Sequence, residues 1–247
     1  MSKNTISKKD IKLLWGSSGN ICAICHIKLT REQGGFSKYP IGVMAHIEGE
    51  KQSSARYNEL MSDNERNRYD NLILLCPNCH TTIDNDVTQY TVDKLKKIKK
   101  EHEKWVSETL RTQTAKITFA ELEVIVKYLI GTPMLEGQDS LTVVPPREKI
   151  KRNNLSIEVE NLITSGMLQV KQVREYLNKH PDIGFGEQLK AGFVKEYLES
   201  RKNGLDGDAL FYSLLDFASN NSSDFLYRSA GLSVLTYFFE ICEVFEK

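Results

Sequence analysis

Two short stretches, Cys22-Ala23-Ile24-Cys25 and Cys76-Pro77-Asn78-Cys79-His80, decide the fold of the first part of this 247-residue chain. Each contains a pair of cysteines separated by two residues, which is the spacing at which cysteine pairs bind zinc. Four thiolates fill a tetrahedral shell and leave no position open for substrate. The pattern therefore predicts a structural zinc ion, and the alternative is two unrelated pairs of reduced cysteines. The predicted zinc ligands are Cys22, Cys25, Cys76 and Cys79.

Two histidines accompany the cysteine pairs. His46 lies near the end of a predicted short strand, Ile41 to Ile47, and a neutral imidazole near pH 7 can accept a proton from water. His80 and Asp84 are four residues apart in a helix predicted to begin at Cys79, so they share one face of that helix. An imidazole nitrogen with a carboxylate oxygen suits Mg²⁺, Mn²⁺ or a similar divalent ion.

An asparagine, Asn71, stands just before a predicted apolar strand that ends at Leu75. Its amide is expected to hold the backbone of the strand that carries His46. Each polar residue also has a simpler interpretation: His46 could be a partly buried strand histidine, and Asn71 could only satisfy a turn. His80 could complete the zinc shell in place of a cysteine, and Asp84 could only cap a loop.

The motif Ala45-His46-Ile47, followed by Asn71 and His80 and framed by the cysteine pairs, resembles the zinc-braced subgroup of the HNH endonuclease family over about residues 15–105. The resemblance implies a ββα-metal fold that hydrolyses phosphodiester bonds of DNA with one divalent ion. It implies that His46 is the general base and that Asn71 and His80 complete the catalytic motif. The catalytic ion, Mg²⁺, Mn²⁺ or Ni²⁺, would then be bound by His80 and Asp84.

One position departs from the family pattern. Many members have an acid or a second histidine directly before the first motif histidine, as a metal ligand, and here that position is Ala45. Glu48 and Glu50 are close enough in sequence to be considered as replacements. The departure leaves open an alternative function, a zinc-braced DNA-binding module whose active site has decayed.

Basic residues are concentrated in the first part of the chain. Residues 1–116 contain 19 Lys and Arg against 14 Asp and Glu, whereas residues 117–247 contain 14 against 19. The basic N-terminal part suits a polyanionic partner, whereas the acidic C-terminal part does not. Arg66 and Arg68 could equally pair with neighbouring acids, and a lysine-rich helix face is often only solvated surface. The predicted DNA-binding residues are Lys51, Arg56, Arg66, Arg68, Lys97 and Lys100.

Local signals predict several further elements. Ser62-Asp63-Asn64-Glu65 is typical of a capping box that begins a short helix, and Thr91 is expected to cap a helix with Leu95, Ile98, His102 and Trp105 on one face. Residues 30–40, with their glycines and proline, are expected to form a loop. Helical patterns follow over about 117–131, 155–179, 186–202, 206–219 and 224–246, with a linker over 131–146.

The apolar tail from Leu232 to Lys247, with the order of the preceding helices, resembles the C-terminal helical domains of bacterial ABC-three-component systems. The resemblance implies a docking domain that meets an ABC-type ATPase and a small middle component. A domain that forms a homodimer is the simpler alternative. The last helix is too apolar to stand alone in water, so it must pack within this domain or against a partner.

Together these features predict an α+β protein, with a small zinc-braced ββα-metal nuclease domain over residues 1–112 and an all-α helical interaction domain over residues 113–247. The chain has no apolar run long enough to span a membrane and no apolar stretch behind its basic N-terminus. Paired cysteines without a secretion signal favour a cytoplasmic protein with bound metal. The predicted function is an antiviral defence or surveillance effector that cleaves DNA, and an adaptor is a further alternative.

Overall fold

A computed structural model describes residues 5–33, 37–130, 146–182, 184–241 and 244–245. The chain forms two compact units, Met1–Val106 and Ser107–Lys247. The predicted linker over 131–146 lies almost entirely outside the described residues. No helix in the described part of the chain is long and apolar enough to cross a membrane.

The first unit begins with helix α1, Lys8–Ser17, whose N-terminal backbone is capped by the Ser7 hydroxyl. Residues 30–40 were expected to form a loop, but they contain an antiparallel hairpin of β1, Thr30–Gln33, and β2, Ser37–Pro40. The pairing of Thr30 with Pro40 sets its register. Pro40, one of the residues that suggested a loop, is instead the last residue of β2, and local composition does not distinguish a short hairpin from a longer loop.

A second antiparallel pair leads into a helix and forms the ββα unit. Strand β3, Val43–His46, pairs with β4, Leu72–Leu75, so that His46 lies opposite Leu72. Between them stand α2, Asp63–Arg66, with the predicted capping box, and a short 3-10 turn, Tyr69–Asn71. Helix α3, Pro77–Asn85, follows β4 directly.

Helix α4, Val92–Thr114, begins with Thr91 accepting a hydrogen bond from the backbone N–H of Lys94. Its predicted apolar face is confirmed, since Leu95 is buried in the same core as β3 and β4. Farther along, His102 Nε2 lies 3.2 Å from the Ser18 carbonyl oxygen, and burial lowers the pKa of His102 to about 4. The ring of Trp105 stacks on His26 at 4.3 Å between centroids.

The second unit is helical in the residues described. It contains α5, Phe119–Ile130; α6, Pro146–Arg152; α7, Ile157–Met167; α8, Val170–Asn178; α9, Phe185–Lys202; α10, Gly207–Ala218; and α11, Phe225–Ile241. The pattern over 155–179 is divided between α7 and α8 at Leu168 and Gln169. Both helices contact α11. The break between them lets each helix direct its apolar residues toward α11.

Helix α11 is buried on nearly all sides and packs inside this unit against α5, α7, α8 and α10. Its buried Arg228 forms an ion pair of 2.9 Å with the buried Asp216 of α10. Lys149 of α6, also buried, donates to the carbonyl oxygens of Phe239, in the last turn of α11, and of Val244, beyond its end. The expectation that the last helix packs within its domain or against a partner is thus met within the domain.

Close packing of α11 on α10 predicts a large effect of Gly231→Ala. A Cβ at Gly231 would lie 2.8 Å from the backbone of Ala218 and Ser219, which cannot move aside as a side chain can. Overpacking of this kind costs about 1–3 kcal/mol. We expect a lower free energy of unfolding, measured by urea denaturation.

The matched control is Gly186→Ala in α9, where a Cβ would meet nothing within 4 Å. Because alanine is the better helix former, this variant should change the free energy of unfolding by less than about 1 kcal/mol, toward greater stability. Equal destabilisation by both substitutions would contradict the packing described for α11.

Candidate functional site

The four cysteines of the two pairs form one cluster. The sulfur atoms of Cys22, Cys25, Cys76 and Cys79 all lie within 4.8 Å of one another. Cys25 Sγ is 3.7 Å from Cys76 Sγ, which is far longer than a disulfide of about 2.05 Å. A tetrahedral zinc ion with Zn–S bonds of about 2.3 Å separates its sulfur ligands by about 3.8 Å. The donor set and its spacing therefore fit zinc.

Backbone hydrogen bonds bring the two cysteine pairs together. The N–H of Ala23 donates to the Leu74 carbonyl at 3.0 Å, which fixes the first pair on strand β4. The second pair lies at the start of α3, where Cys76 is the N-cap and its sulfur accepts from the N–H of Cys79 at 3.3 Å. The first pair is thereby fixed beside the N-terminus of α3.

Crowding of the thiols affects their protonation. Burial, followed by hydrogen bonds with Cys76 and Cys25, holds the pKa of Cys79 well above its usual range. Burial also raises the pKa of Cys25, whereas the pKa of Cys76 is lowered by hydrogen bonds that outweigh its burial, first that from the N–H of Cys79. Four thiols so close together cannot all carry negative charge without a cation among them.

His46 is the last residue of β3 and is half-buried. Its Nε2 lies 3.0 Å from Asn67 Oδ1, and the amide nitrogen of Asn67 donates to the Asp63 carbonyl at 3.4 Å. Because the Asn67 oxygen is an acceptor, His46 Nε2 carries the proton and Nδ1 retains the lone pair. This tautomer gives His46 a basic nitrogen at Nδ1.

Asn71 is buried and holds the backbone that follows His46. Its Oδ1 accepts from the N–H of Glu48 at 2.9 Å, and its Nδ2 donates to the carbonyls of Glu48 at 2.9 Å and Arg66 at 3.0 Å. The backbone carbonyl of Asn71 also accepts from the N–H of Ile47 at 2.8 Å. One side chain thus connects the end of β3 to the segment before β4.

His80 and Asp84 face each other on α3. His80 Nε2 is 3.2 Å from Asp84 Oδ2, and both side chains are partly exposed. Two neighbouring ligands of an octahedral ion with bonds of about 2.1 Å are separated by about 3.0 Å. The pair therefore fits one edge of such a shell. His80 is not part of the cysteine cluster, which already supplies four sulfur ligands.

Ala45, at the position that departs from the family pattern, is buried in the core opposite Ile73 and supplies no ligand. Glu48 is also buried; its oxygens lie 2.8 Å from Asn58 Nδ2 and 3.4 Å from Lys96 Nζ.

Two of the predicted DNA-binding arginines have internal roles instead. Arg66 is 1% exposed, donates to the carbonyls of Gly49 at 2.9 Å and Met61 at 2.8 Å, and lies over the ring of Tyr57. The Arg56 side chain is 4% exposed and bonds to Asp84 and to backbone carbonyls. Because both guanidinium groups are buried and bonded to carbonyl oxygens, neither is available to phosphates.

The remaining predicted DNA-binding residues are exposed: Lys51, Arg68, Lys97 and Lys100. Lys97 lies 3.8 Å from Glu101 on the same helix face, a surface contact too weak to withdraw it from solvent.

The sequence did not indicate Asn67 as a site residue, and it indicated Arg56 only as a candidate contact to DNA. Asn67, which fixes the His46 tautomer, comes directly after the helix begun by the capping box, and that position was its only local signal. Arg56 is recognisable in the sequence as a basic residue, but nothing in its sequence neighbourhood points to Asp84, which is 28 residues away.

Comparison with protein-family models gives two matches. Residues 59–86 match the model described as HNH endonuclease, a segment that contains Asn71, His80 and Asp84 but not His46. Residues 120–246 match the model described as C-terminal domain 10 of the ABC-three component (ABC-3C) systems. No curated protein matches the chain. Because the second match covers more than half of its length, the chain belongs to the family of C-terminal domain 10 of the ABC-three component systems.

Proposed function

We propose that the protein is a metal-dependent HNH endonuclease that hydrolyses phosphodiester bonds of DNA and acts as the effector of a prokaryotic defence or surveillance complex. The observation that carries the proposal is the pairing of His80 with Asp84 at 3.2 Å on the helix of a ββα unit whose first strand ends at His46. A partly exposed imidazole and carboxylate at that distance offer two adjacent ligands to a divalent ion.

His46 is the proposed general base. Its Nδ1 takes a proton from the attacking water, and the hydrogen bond from Nε2 to Asn67 keeps the lone pair on Nδ1 and stabilises the imidazolium that forms. Asn71 is the proposed positioning residue for this base, because it fixes the backbone on the C-terminal side of His46. The Asn71 amide would thus affect catalysis only by setting the position of β3, the strand that carries His46.

His80 and Asp84 would hold the divalent ion, Mg²⁺, Mn²⁺ or Ni²⁺, with water and phosphate oxygens in the remaining positions. Such an ion supplies positive charge that stabilises the phosphate and the leaving oxygen. The burial of Ala45 means that this strand contributes no third ligand at that position. A shell with few protein ligands agrees with the way Mg²⁺ is usually bound.

The cysteine cluster would hold a structural zinc ion, and we assign the nuclease module to residues 1–112. DNA would contact the exposed basic residues, which position the backbone without reading sequence. These are Lys51, Arg68, Lys97 and Lys100.

The helical module, residues 113–247, would dock onto protein partners. The family of its C-terminal domain supports partners within an ABC-three component system, which we propose to be an ABC-type ATPase and a small middle component. Its acidic balance, 14 Lys and Arg against 19 Asp and Glu beyond residue 116, is unfavourable for DNA and compatible with protein. A homodimer through this module is the competing assembly.

Removing the base or a metal ligand should abolish cleavage. His46→Ala and Asp84→Asn are each expected to lower the plasmid cleavage rate at least about 100-fold, since each removes a group that acts in the transition state. Cleavage is measured with Mg²⁺, Mn²⁺ and Ni²⁺, and with EDTA as the metal-free reference, in the presence and absence of the partner proteins.

Asp93→Asn is the matched control, because it removes an exposed carboxylate from the first turn of the next helix and should leave the rate unchanged. DNA binding by a folded wild-type protein that never cleaves, with any metal or partner, would favour the decayed binding module. A protein that ignores DNA and binds only partners would be an adaptor.

Loss of one cysteine ligand should release zinc and unfold the first unit. Structural zinc contributes about 10–16 kcal/mol in small zinc domains, which is comparable with the whole stability of a domain, about 5–15 kcal/mol. Cys79→Ser is expected to reduce bound zinc to below one equivalent, measured by elemental analysis. It is also expected to abolish the thermal transition of the first unit. Thr82→Ser, an exposed change in the same helix, is the control. A wild-type protein that folds fully without zinc would contradict this role.

Exposed lysines that bind phosphates should contribute to the salt dependence of DNA binding. In a His46→Ala background, Lys97→Ala with Lys100→Ala should lower the slope of log affinity against log salt by about one for each phosphate that is no longer neutralised. The measurement is fluorescence anisotropy with duplex DNA at several salt concentrations. Lys171→Ala, an exposed lysine of α8, should leave the slope unchanged. An unchanged slope in the double variant would exclude this face from the interface.

A further inference from the structure

Arg56 contacts both parts of the candidate site. Its Nε donates to the carbonyl oxygen of Ile47, the residue after His46, at 2.8 Å. One terminal nitrogen donates to Asp84 Oδ1 at 2.8 Å, and the other donates to the Ile83 carbonyl on α3. One guanidinium therefore joins the end of strand β3 to the part of α3 that carries the carboxylate.

The contact with Arg56 determines which oxygen of Asp84 remains for an ion. Oδ1 is bound by the guanidinium, and Oδ2 lies 3.2 Å from His80 Nε2. A carboxylate held at one oxygen loses rotational freedom about its last torsion, so its second oxygen is fixed beside the imidazole. We propose that Arg56 is a positioning residue that orients Asp84 for binding of the catalytic divalent ion; this inference rests on the proposed function.

The backbone also indicates that Arg56 has a specific role. Its φ is 54°, in the left-handed region that residues with a side chain rarely adopt. The preceding loop is closed by a hydrogen bond from the N–H of Gly49 to the Ala55 carbonyl at 3.1 Å. Strained residues of this kind persist where the surrounding contacts hold them, and they occur often at functional sites.

The positive charge of Arg56 and the orientation that it imposes on Asp84 have opposite effects on the affinity for an ion. A guanidinium beside the carboxylate repels a cation, which alone would weaken binding, whereas orientation of Oδ2 strengthens it. Arg56→Lys separates the two effects, because lysine keeps the charge but has all its N–H donors on one nitrogen, without the planar fork. It cannot reach three acceptors in the arrangement of Ile47, Ile83 and Asp84. Weaker ion binding by Arg56→Lys would show that the orientation of the Asp84 carboxylate contributes to the affinity.

The experiment measures Mn²⁺ affinity by electron paramagnetic resonance on the full, zinc-loaded chain. Outer partners of metal ligands typically contribute about 10–100-fold to affinity, so Arg56→Lys should bind Mn²⁺ at least about 10-fold more weakly than wild type. The matched control, Arg31→Lys, changes an exposed arginine of β1 and should leave the affinity unchanged. Zinc content and the thermal transition are measured for every variant.

A double-variant cycle tests whether Arg56 acts through Asp84. Asp84→Asn should lower the affinity, and adding Arg56→Lys to it should lower the affinity no further, because the carboxylate that Arg56 orients is gone. Additive losses would overturn the proposed role. Unchanged or tighter Mn²⁺ binding by Arg56→Lys alone would overturn it while leaving the proposed nuclease intact.

If wild type binds Mn²⁺ no more tightly than Asp84→Asn does, Asp84 does not belong to a metal site, and both proposals are overturned.

A second measurement, on the wild-type protein, covers the case in which Arg56→Lys does not fold. In arginine-labelled protein, the Nε–H signal of Arg56 should shift on addition of Mg²⁺ and remain protected from solvent exchange. A signal that stays unchanged at saturating Mg²⁺, or loses its protection, would overturn the positioning role.

Discussion

The cluster of four cysteine sulfur atoms within 4.8 Å is the constraint on which the first unit depends. The proposed zinc ion would join the residues around Cys22 to the first turn of α3, which follows β4 directly. The position of α3 in turn sets that of His80 and Asp84, because both project from this one short helix. Helix α3 has only nine residues and would be marginal in isolation, so its position must come from tertiary contacts and from the cluster.

The segment between His46 and Asn71 has little regular structure, and side chains replace the hydrogen bonds that a sheet would supply. Buried carbonyl groups need donors, and here Asn71, Arg56 and Arg66 provide them. Arginine suits this work since it offers five N–H donors in one plane and remains charged. The basic character of this segment therefore partly reflects internal bonding, through Arg56 and Arg66.

The sequence predicted those parts of the fold that have local causes. The capping box at Ser62 and Glu65 and the strand before Cys76 depend on neighbouring residues and appear as expected. The helix that follows also appears, but it begins at Pro77, two residues before the predicted start at Cys79. The roles of Arg56 and Arg66 could not be predicted, because an arginine in a polar loop has the same sequence pattern whether it binds phosphates or buried carbonyls. Burial separates the two cases, and burial is set by residues distant in sequence.

In the second unit, the burial of α11 limits how a partner can bind. Its central part is buried among neighbouring helices, and its Ser229 hydroxyl donates to the Leu110 carbonyl inside the unit. Removing one member of the buried pair Arg228 and Asp216 would leave an uncompensated charge, which typically costs about 3–5 kcal/mol. A protein that binds this unit in its folded state must therefore contact its outer surface, where apolar side chains such as Leu168, between α7 and α8, are exposed.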